Sequence, residues 1–307
     1  MTAAELFRVA AEVAEALRDG GAVVGLETSV LGQGLPRPEN RECAERMDLV
    51  IRRAGAVPSW IGVLGGAIRV GLAPHELERF IDPADAEKVA RRDYPAALGS
   101  ERAGATTVSA TIWAAARAGI AVCTTGGIGG VHPGEAPDVS ADLLELARTP
   151  GLLVCSGPKS IVEPAATLER LEELGVAVVG LGVDRLPFFL ARESPNPLEH
   201  RVDSAAGAAE MSRVARDLGV GSTILVCNPV PATSAMEAAE VDVAVREATR
   251  RADREGIHGK ARTPFLLSTL AELTGGRSLR ANLDLLEDNA RVAGEIATAL
   301  TAAAPVI

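Results

Sequence analysis

The sequence contains very little lysine. Of its 31 cationic residues only Lys88, Lys159 and Lys260 are lysine, and the other 28 are arginine. Arginine stays protonated, so it cannot replace lysine where an amine must act as a nucleophile. A lysine next to a buried strand in such a chain, as Lys159 is expected to be, therefore points to a need for an amine.

The sequence also lacks an excess of positive charge and a long apolar run. It contains 31 Lys and Arg residues and 41 Asp and Glu residues. The resulting net charge of -10 argues against sequence-independent binding to nucleic acid or anionic lipid. No charge-free run of about 20 residues is present, and the N-terminus has no basic segment followed by an apolar one. We therefore expect a cytoplasmic protein with no nucleic-acid or membrane partner.

Cysteine spacings typical of zinc sites are absent as well. The four cysteines, Cys43, Cys123, Cys155 and Cys227, are widely separated and lie in apolar surroundings. This pattern predicts buried free thiols in a reducing compartment.

What the sequence has in abundance is apolar runs alternating with helical patterns. With 47% hydrophobic residues the chain can bury a sizeable core. Apolar runs bounded by Gly or Pro predict buried strands at residues 22–26, 61–64, 120–123, 152–155, 177–179 and 224–227. Helical patterns are predicted at residues 39–54, 106–118, 140–148, 165–174 and 205–218. The alternation predicts an α/β sheet covered on both faces.

The two ends of the chain are predicted to be helical. Thr2 and Glu5 have the spacing of a capping box, and apolar residues then recur at helical period until Gly20. The C-terminal third shows three helical patterns, at residues 234–256, 264–274 and 278–302, and no strand. Because no stretch has linker composition, we predict one domain over residues 1–307.

Ligands of α/β sheets bind at the carboxyl ends of strands, which directs attention to the polar residues that follow the apolar runs. Glu27 follows the first run, a glycine-rich segment at residues 125–130 follows the third, Lys159 follows the fourth, and Asn228 follows the last. A desolvated lysine can attack an aldehyde to form an imine. The alternative is an ordinary lysine in a Gly-Pro turn.

Two other segments allow both a functional and a structural interpretation. Residues 104–107, just before a predicted helix, suit a phosphate or a plain N-cap. Asp138 and Asp142 stand four apart at the start of another helix, where they suit Mg²⁺ or Mn²⁺ or a helix cap with a first-turn acid. The glycine-rich segment matches neither the dinucleotide nor the ATP motif and is expected to let backbone approach a ligand.

The histidines and the third lysine divide between site and surface. His132, just after the glycine-rich segment, is the histidine expected to serve the site, and His75, His200 and His258 are expected at the surface. Lys260, beside a His-Gly turn, is also predicted to be a surface residue.

Taken in order, these segments resemble the pseudouridine-5'-phosphate glycosidase family, also called the indigoidine-synthase-A-like family, over nearly the whole chain. The segments that carry the resemblance are residues 26–28, 34–40, 88–93, 104–108, 125–132, 140–143, 157–160, 263–267 and 278–282. The resemblance implies a three-layer α/β/α fold with a central mixed sheet, usually assembled as a homotrimer. It also implies an enzyme that handles ribose 5-phosphate joined through carbon to a base, with Mn²⁺ nearby.

The resemblance assigns roles to residues of this chain. It matches Lys159 to the family's imine-forming lysine, Glu27 to its acid/base residue and Lys88 to a residue that binds the sugar phosphate. The remaining matches are Thr107, Val108, Ser140 and Ala141 at the sugar phosphate, Asp142 at the sugar phosphate and the metal, Asp138 at the metal, and His132 and Asn282 facing the base. A C–C glycosidic bond has no leaving-group lone pair to protonate, so an iminium at C1 is needed as the electron sink.

This chain departs from the family pattern on the base side. Gln33 stands where the family usually has His, Pro133 where it usually has Arg, and the loop at residues 134–138 is about two residues shorter, with Ala136 and Pro137 in place of a Thr-Phe pair. Losing those donors while shortening a loop favours an acceptor larger than a pyrimidine. We therefore expect C-ribosylation of an aromatic polyketide-type natural product, of the kind found in alnumycin biosynthesis.

Three alternatives stay open. The first is pseudouridine-5'-phosphate glycosidase, which gives uracil and ribose 5-phosphate. The second is a non-catalytic phosphosugar-binding protein on the same fold, which would bind ribose 5-phosphate without a covalent adduct. The third is a class I aldolase-like lyase, which shares the lysine chemistry.

Overall fold

The structure is a computed structural model that describes residues 3–82, 85–99, 102–134 and 138–302. Within these ranges the helices are α1 (Ala3–Leu6), α2 (Ala11–Arg18), α3 (Glu39–Arg53), α4 (Pro74–Ile81), α5 (Tyr94–Ala97), α6 (Val108–Ala118), α7 (Ala141–Leu146), α8 (Pro164–Glu173), α9 (Ala205–Asp217), α10 (Ala238–Arg254), α11 (Arg262–Leu273) and α12 (Arg277–Ala302). A π-helical turn spans Val30–Gly34, and 3-10 turns span Arg91–Asp93 and Gly259–Ala261.

The strands are β1 (Phe7–Val9), β2 (Ala22–Glu27), β3 (Ala56–Leu64), β4 (Ala67–Val70), β5 (Ala86–Val89), β6 (Ala103–Thr106), β7 (Val122–Thr124), β8 (Gly151–Cys155), β9 (Val178–Leu181), β10 (His200–Val202) and β11 (Thr223–Cys227). Among the described residues they form one sheet in the order β1-β4-β3-β2-β7-β8-β11-β9-β10, with β6 on β3 and β5 on β6. The pairs β3–β4 and β3–β6 are antiparallel and the other pairs are parallel, so the sheet is mixed.

Alternate residues of the central strands point into two different cores. Val24 of β2 packs with α3 and α12 on one face, whereas Val23 packs with α6 on the other. A third, smaller core joins α10 and α11 to Ile161 and Val162, just after β8. The predicted three-layer α/β/α fold and its helical C-terminal third are therefore confirmed.

The predicted strands and helices between residues 22 and 302 are present, with shifts of up to four residues at their ends except at β3, which begins five residues before the predicted strand. The prediction of a single N-terminal helix is wrong for residues 7–9, which form strand β1. Phe7–Val9 pairs in parallel with Ile68–Val70, and Ala10 N–H donates to the Val70 carbonyl at 2.8 Å. Tertiary pairing here outweighs the helical period. Thr2 lies outside the described residues.

Four strands inside the chain escaped the sequence analysis. They are β4, β5, β6 and β10, each three or four residues long. Strand β5 carries Glu87 and Lys88 at its centre, and β6 consists of small residues and Thr106, so neither has an apolar run. No helix of the described residues is long and apolar enough to cross a membrane.

Candidate active site

A cleft of about 240 Å³ lies at the carboxyl ends of the central strands. Glu27 at the end of β2, Lys88 in β5 and Lys159 after β8 all line it. Its other walls come from the start of α6, the start of α7 and the segment around the Gly259–Ala261 turn. The sheet thus gathers side chains that are up to 132 positions apart in sequence.

Two crossing backbone hydrogen bonds fix the position of Lys159. Its N–H donates to the Ile128 carbonyl at 3.0 Å, and Ile128 N–H donates to the Gly157 carbonyl at 3.1 Å. Gly157 has φ +80°, and a Cβ there would collide with the Pro187 carbonyl, so the turn requires glycine. The Lys159 Nζ donates to the Gly127 carbonyl. The lysine turn and the glycine-rich segment therefore form one rigid unit.

Glu27 is a buried carboxylic acid, with 4% of its surface exposed. Burial raises its pKa; the Lys159 ammonium, then hydrogen bonds from Thr125 and Ser29, oppose that shift, and the Asp142 carboxylate adds to it. Thr125 Oγ1 donates to one carboxylate oxygen, and Ser29 Oγ donates to the other at 3.2 Å. A carboxyl group with a raised pKa beside an amine is suited to giving and taking a proton.

Lys88 supplies a second ammonium to the same cleft. Burial lowers its pKa, the Lys159 ammonium lowers it further, and the carboxylates of Asp142 and Glu27 oppose these effects. Two ammonium groups in one cleft attract a doubly charged anion such as a phosphate.

The segment before α6 is only partly what its sequence indicated. Residues 103–106 form strand β6, and Thr107 occupies the N-cap position of α6. The Thr106 hydroxyl is fully buried and donates to the Ile61 carbonyl at 2.6 Å, so it is not available to a ligand. Thr107 and Val108 do line the cleft, and the Thr107 hydroxyl lies 3.0 Å from Ser109 Oγ.

Asp142 connects two walls of the cleft. Its carboxylate accepts the Ser109 N–H of α6 and the Gly129 N–H of the glycine-rich segment, both at 3.0 Å. Ser140 caps α7 by accepting the Asp142 N–H at 3.2 Å. Ser140, Ala141 and Asp142 line the cleft. Asp142 is an acid in the first turn of α7, as its structural interpretation required, and its carboxylate also anchors backbone amides of two other segments.

The glycines of the 125–130 segment are needed for packing against the protein itself. A Cβ on Gly129 would lie 2.6 Å from Ser140 Cβ, and a Cβ on Gly127 would lie 2.8 Å from the Phe189 ring. These glycines therefore allow close approach between chain segments. Gly129 also lines the cleft, and the close approach of this backbone to a ligand stays a prediction.

Asp138 lines the cleft with an exposed side chain. Among the described residues no group of three or more His, Cys, Asp or Glu side chains is gathered to hold a metal ion. Because the oxygens of Asp142 accept backbone amides, these residues do not form a closed protein cage. They do fit a hard cation that keeps most of its water and binds through one carboxylate.

His132 and Asn282, both expected to face the base, lie in different parts of the site. His132 lines the cleft beside Asp138; its pKa is lowered by burial, and its Nδ1 is buried with no partner among the described residues. Asn282 of α12 lines a second chamber, which continues from the cleft past Glu27 and Lys159. His75, His200 and His258 are exposed, as predicted.

A third chamber continues from the second. The two share Gln33, Gly34, Phe189, Pro264, Leu267 and Asn282. The third has a volume of about 490 Å³ and mostly apolar walls, including Leu35, Leu190 and Leu279. The site therefore has a cationic end and an apolar end, with Lys159 and Glu27 between them.

The loop at residues 134–138, which is shorter than in the family pattern, lies partly outside the described residues. Ala136 and Pro137 lie outside the described residues. Pro133 and Gly134 are exposed, and neither lines any of the three chambers.

Lys260 is a surface residue, as predicted, but it also lines the cleft, which the sequence did not indicate. Its side chain is 57% exposed, but its Nζ donates to the Lys88 carbonyl at 2.9 Å and to Asp93 Oδ2 at 3.0 Å. All three lysines of the chain thus line one cleft. Lys260 ties the C-terminal helices to the segment that carries Lys88.

We expect Lys260→Met to raise KM for a sugar phosphate about tenfold with a smaller change in kcat, because both hydrogen bonds to the Lys88 segment are lost. Lys260→Arg, which keeps the charge and the donors, is the matched control and is expected to stay near wild type. Steady-state kinetics of the two variants check this. An unchanged KM in Lys260→Met would show that the tie does not position Lys88.

The sequence analysis also missed Asn289, which lies on the buried face of α12. Its Nδ2 donates to the Thr125 carbonyl at 3.0 Å and to Ser156 Oγ at 3.1 Å, and its Oδ1 accepts from Asn228 Nδ2 at 3.0 Å. The available signal was a polar residue within the apolar stripe of a helix, between Leu285 and Val292.

Known proteins match this chain over nearly its whole length. The model of the family described as indigoidine synthase A like protein matches residues 12–299. The chain belongs to this family. It is 47% identical to pseudouridine-5'-phosphate glycosidase of Gemmatimonas aurantiaca over 298 residues, covering 97% of each chain. It is 44% identical to the glycosidase of the same name from Caldanaerobacter subterraneus subsp. tengcongensis, covering 94% of this chain and 95% of the relative.

Solved structures in the family share the fold. The indigoidine synthase A-like protein of Thermotoga maritima is 38% identical, with a TM-score of 0.88, and the match covers 96% of this chain and 97% of that one. The prealnumycin C-glycosynthase AlnA, solved with ribulose 5-phosphate, is 39% identical, with a TM-score of 0.88 and coverage of 97% and 98%. Family members are thus glycosidases and glycosynthases, and this chain is an enzyme of that kind.

Proposed function

We propose that the protein is a pseudouridine-5'-phosphate glycosidase that breaks the C–C bond between ribose 5-phosphate and a heteroaromatic base. The observation that carries the proposal is the placement of the Lys159 amine and the buried Glu27 carboxyl between a cationic and an apolar chamber. One end suits the sugar phosphate and the other suits the base.

The cleft, which is lined by the three lysines, would bind the phosphate. Lys88 supplies the ammonium, Lys260 holds the Lys88 segment in place, and Thr107 offers a hydroxyl at the N-terminus of α6. Binding at this end would orient C1 of the opened sugar toward Lys159. The binding energy of the phosphate then serves the reaction at C1, several bonds away.

Lys159 would act as the nucleophile. In the cleavage direction its nitrogen bonds to C1 as the ring oxygen leaves C1 and takes a proton. The nitrogen lone pair then expels the base carbon, which leaves an iminium at C1. Water adds to the iminium and releases ribose 5-phosphate and the free amine.

Glu27 would deliver the proton that the departing base carbon needs. Its carboxyl lines both the cleft and the second chamber, as Lys159 does. Its raised pKa keeps a proton available for this step, and in the synthetic direction its carboxylate removes the proton from the aromatic carbon.

The preference for an aromatic polyketide acceptor is not supported by the comparisons. The relatives named pseudouridine-5'-phosphate glycosidase are 44% and 47% identical, whereas AlnA is 39% identical, so the alternative fits better. The apolar third chamber keeps C-ribosylation of a larger acceptor as the second candidate. The homotrimer and the cytoplasmic location stay predictions.

The test is turnover of pseudouridine 5'-phosphate followed by mass spectrometry, beside ribose 5-phosphate addition to polycyclic aromatic acceptors. We expect release of uracil and ribose 5-phosphate with a kcat on the order of 1 to 10 per second. Efficient addition to a polycyclic acceptor without uracil release would favour the second candidate. Binding of ribose 5-phosphate without any turnover would favour a non-catalytic protein.

We also propose that Mn²⁺ binds at Asp138, with water completing its shell and Asp142 holding the surrounding backbone. When bound, the ion would neutralise negative charge near the phosphate. We expect chelation to lower turnover and Mn²⁺ to restore it better than Zn²⁺, which prefers nitrogen and sulfur ligands. Calorimetric Mn²⁺ titration should show binding to the wild type and not to Asp138→Asn. Full activity in a metal-free preparation would contradict the proposal.

Thr125→Val should move the alkaline limb of cleavage to higher pH. The Thr125 hydroxyl stabilises the ionised form of Glu27 and so lowers its pKa; without that donor the pKa rises, and the acid persists to higher pH. A profile of kcat/KM against pH measures the shift. Thr124→Val is the control, because its hydroxyl faces the Val154 carbonyl at 3.3 Å. Identical limbs in both variants would remove Glu27 as the titrating acid.

A further inference from the structure

Gln33 is the single glutamine of the chain, and it lies beside the reacting groups. It belongs to the π-helical turn Val30–Gly34, a geometry that often occurs at functional sites. It lines the second chamber together with Lys159 and Glu27, and it also lines the third chamber. The proposed cleavage steps assign no role to Gln33.

The orientation of the Gln33 amide is fixed by its neighbour. Its Nε2 donates to the Ala86 carbonyl at 3.2 Å, at the start of the strand that carries Lys88. Turning the amide over would bring two carbonyl oxygens together, so the oxygen and nitrogen assignment follows from this contact. Oε1 is therefore the atom of the Gln33 amide that remains as an acceptor.

The Gln33 Oε1 atom is buried and has no hydrogen-bond partner among the described residues. A buried acceptor left without a donor destabilises the folded protein, and a ligand that supplies a donor removes that cost. The surrounding walls supply apolar surface from Phe189, Pro264 and Leu267, which suits a flat ring.

We infer that Gln33 Oε1 accepts a hydrogen bond from a ring N–H of the base and thereby selects aglycones of the lactam or imide class. This inference rests on the proposed function, because it concerns the base side of the same site. A ring with a methylated nitrogen or an acceptor at that edge leaves Oε1 unpaired and is rejected. Gln33 is thus a specificity residue of this chain, at a position where the resemblance led us to expect a different side chain.

The test compares kcat/KM for pseudouridine 5'-phosphate and for its 1-methyl and 3-methyl derivatives. We expect the wild type to disfavour one of the two methylated substrates by about tenfold or more. Gln33→Met should lower kcat/KM for the parent by about tenfold and bring parent and methylated substrate within about threefold of each other. Equal use of all three substrates by the wild type, or full discrimination in Gln33→Met, would overturn the inference.

Leu267→Met is the matched control, because Leu267 lines both chambers and carries no hydrogen-bonding group. It should keep the discrimination between parent and methylated substrate. Labelling of Lys159 by borohydride and ribose 5-phosphate should be equal in all three proteins, since Gln33 faces the base. Loss of labelling in Gln33→Met alone would mean that Gln33 acts on the sugar instead, and the inference would fail.

A separate measurement distinguishes this inference from the proposed function. If the wild type cleaves none of the three substrates, the proposed function fails. The Gln33 inference is then decided by calorimetric binding of uracil, 1-methyluracil and 3-methyluracil to the borohydride-reduced adduct. Tighter binding of uracil than of one methylated form, lost in Gln33→Met, would support it, and equal or absent binding of all three would overturn it.

Discussion

We expect Lys159→Arg to lose at least about a thousandfold of kcat while it keeps its fold and part of its affinity for the sugar phosphate. The guanidinium keeps the positive charge that faces Glu27 but cannot become a nucleophile. Steady-state turnover, together with the melting temperature of the variant, measures this result. Near-normal activity would show that the imine mechanism is wrong.

The same expectation has a direct chemical readout. Borohydride in the presence of ribose 5-phosphate should leave a stable adduct on Lys159 and not on Lys88 or Lys260, as peptide mass spectrometry would show. Lys88→Arg serves as the control, because it removes an amine from the same cleft and should only weaken phosphate binding. An absence of labelled lysine under turnover conditions would refute the covalent step.

The second large effect is expected for Glu27→Gln, which should lower the rate of C–C cleavage by about 10² to 10⁴-fold. The amide keeps the shape of the side chain and can still accept from Thr125, but it cannot deliver a proton. Single-turnover release of uracil measures the loss. Retention of more than about a tenth of the wild-type rate would assign the proton transfer to another group.

Glu27→Gln also separates the chemistry from the fold. Labelling of Lys159 by ribose 5-phosphate and borohydride should persist in the variant, because that step does not involve the base. The melting temperature should stay equal or rise, since a neutral amide replaces an acid whose burial opposes ionisation. Loss of both labelling and stability would indicate a structural role for Glu27.

Much of the site was predictable because the sheet itself brings its parts together. Glu27 and Lys159 follow apolar runs, and parallel strands carry the residues after them to one edge. The scarcity of lysine pointed to Lys159 before any fold was known. The same signal was not extended to Lys260, because a His-Gly turn alone does not show which segment it approaches.

The remaining parts depend on contacts between distant segments. Asp142 accepts hydrogen bonds from Ser109 and Gly129, and Lys260 donates one to Asp93. No short sequence pattern indicates these contacts. Strand β5 was missed because Glu87 and Lys88 interrupt its apolar character, although one of them serves the cleft. A charged residue that lines the site thus interrupts the apolar run by which a buried strand is recognised in a sequence.

The hydrogen bonds from α12 to the glycine-rich segment have a consequence for folding during translation. Asn289 lies 130 residues after Lys159 in the sequence, yet its side chain donates to the Thr125 and Gly126 carbonyls of the segment that contacts Lys159. A ribosome releases the N-terminal strands first. The nascent chain therefore carries Lys159 for the whole time needed to translate some 130 further residues before the residue that braces its surroundings emerges. A chain that ends before α12 would lack these hydrogen bonds, so we expect the glycine-rich segment to reach its final position only after α12 has been synthesised.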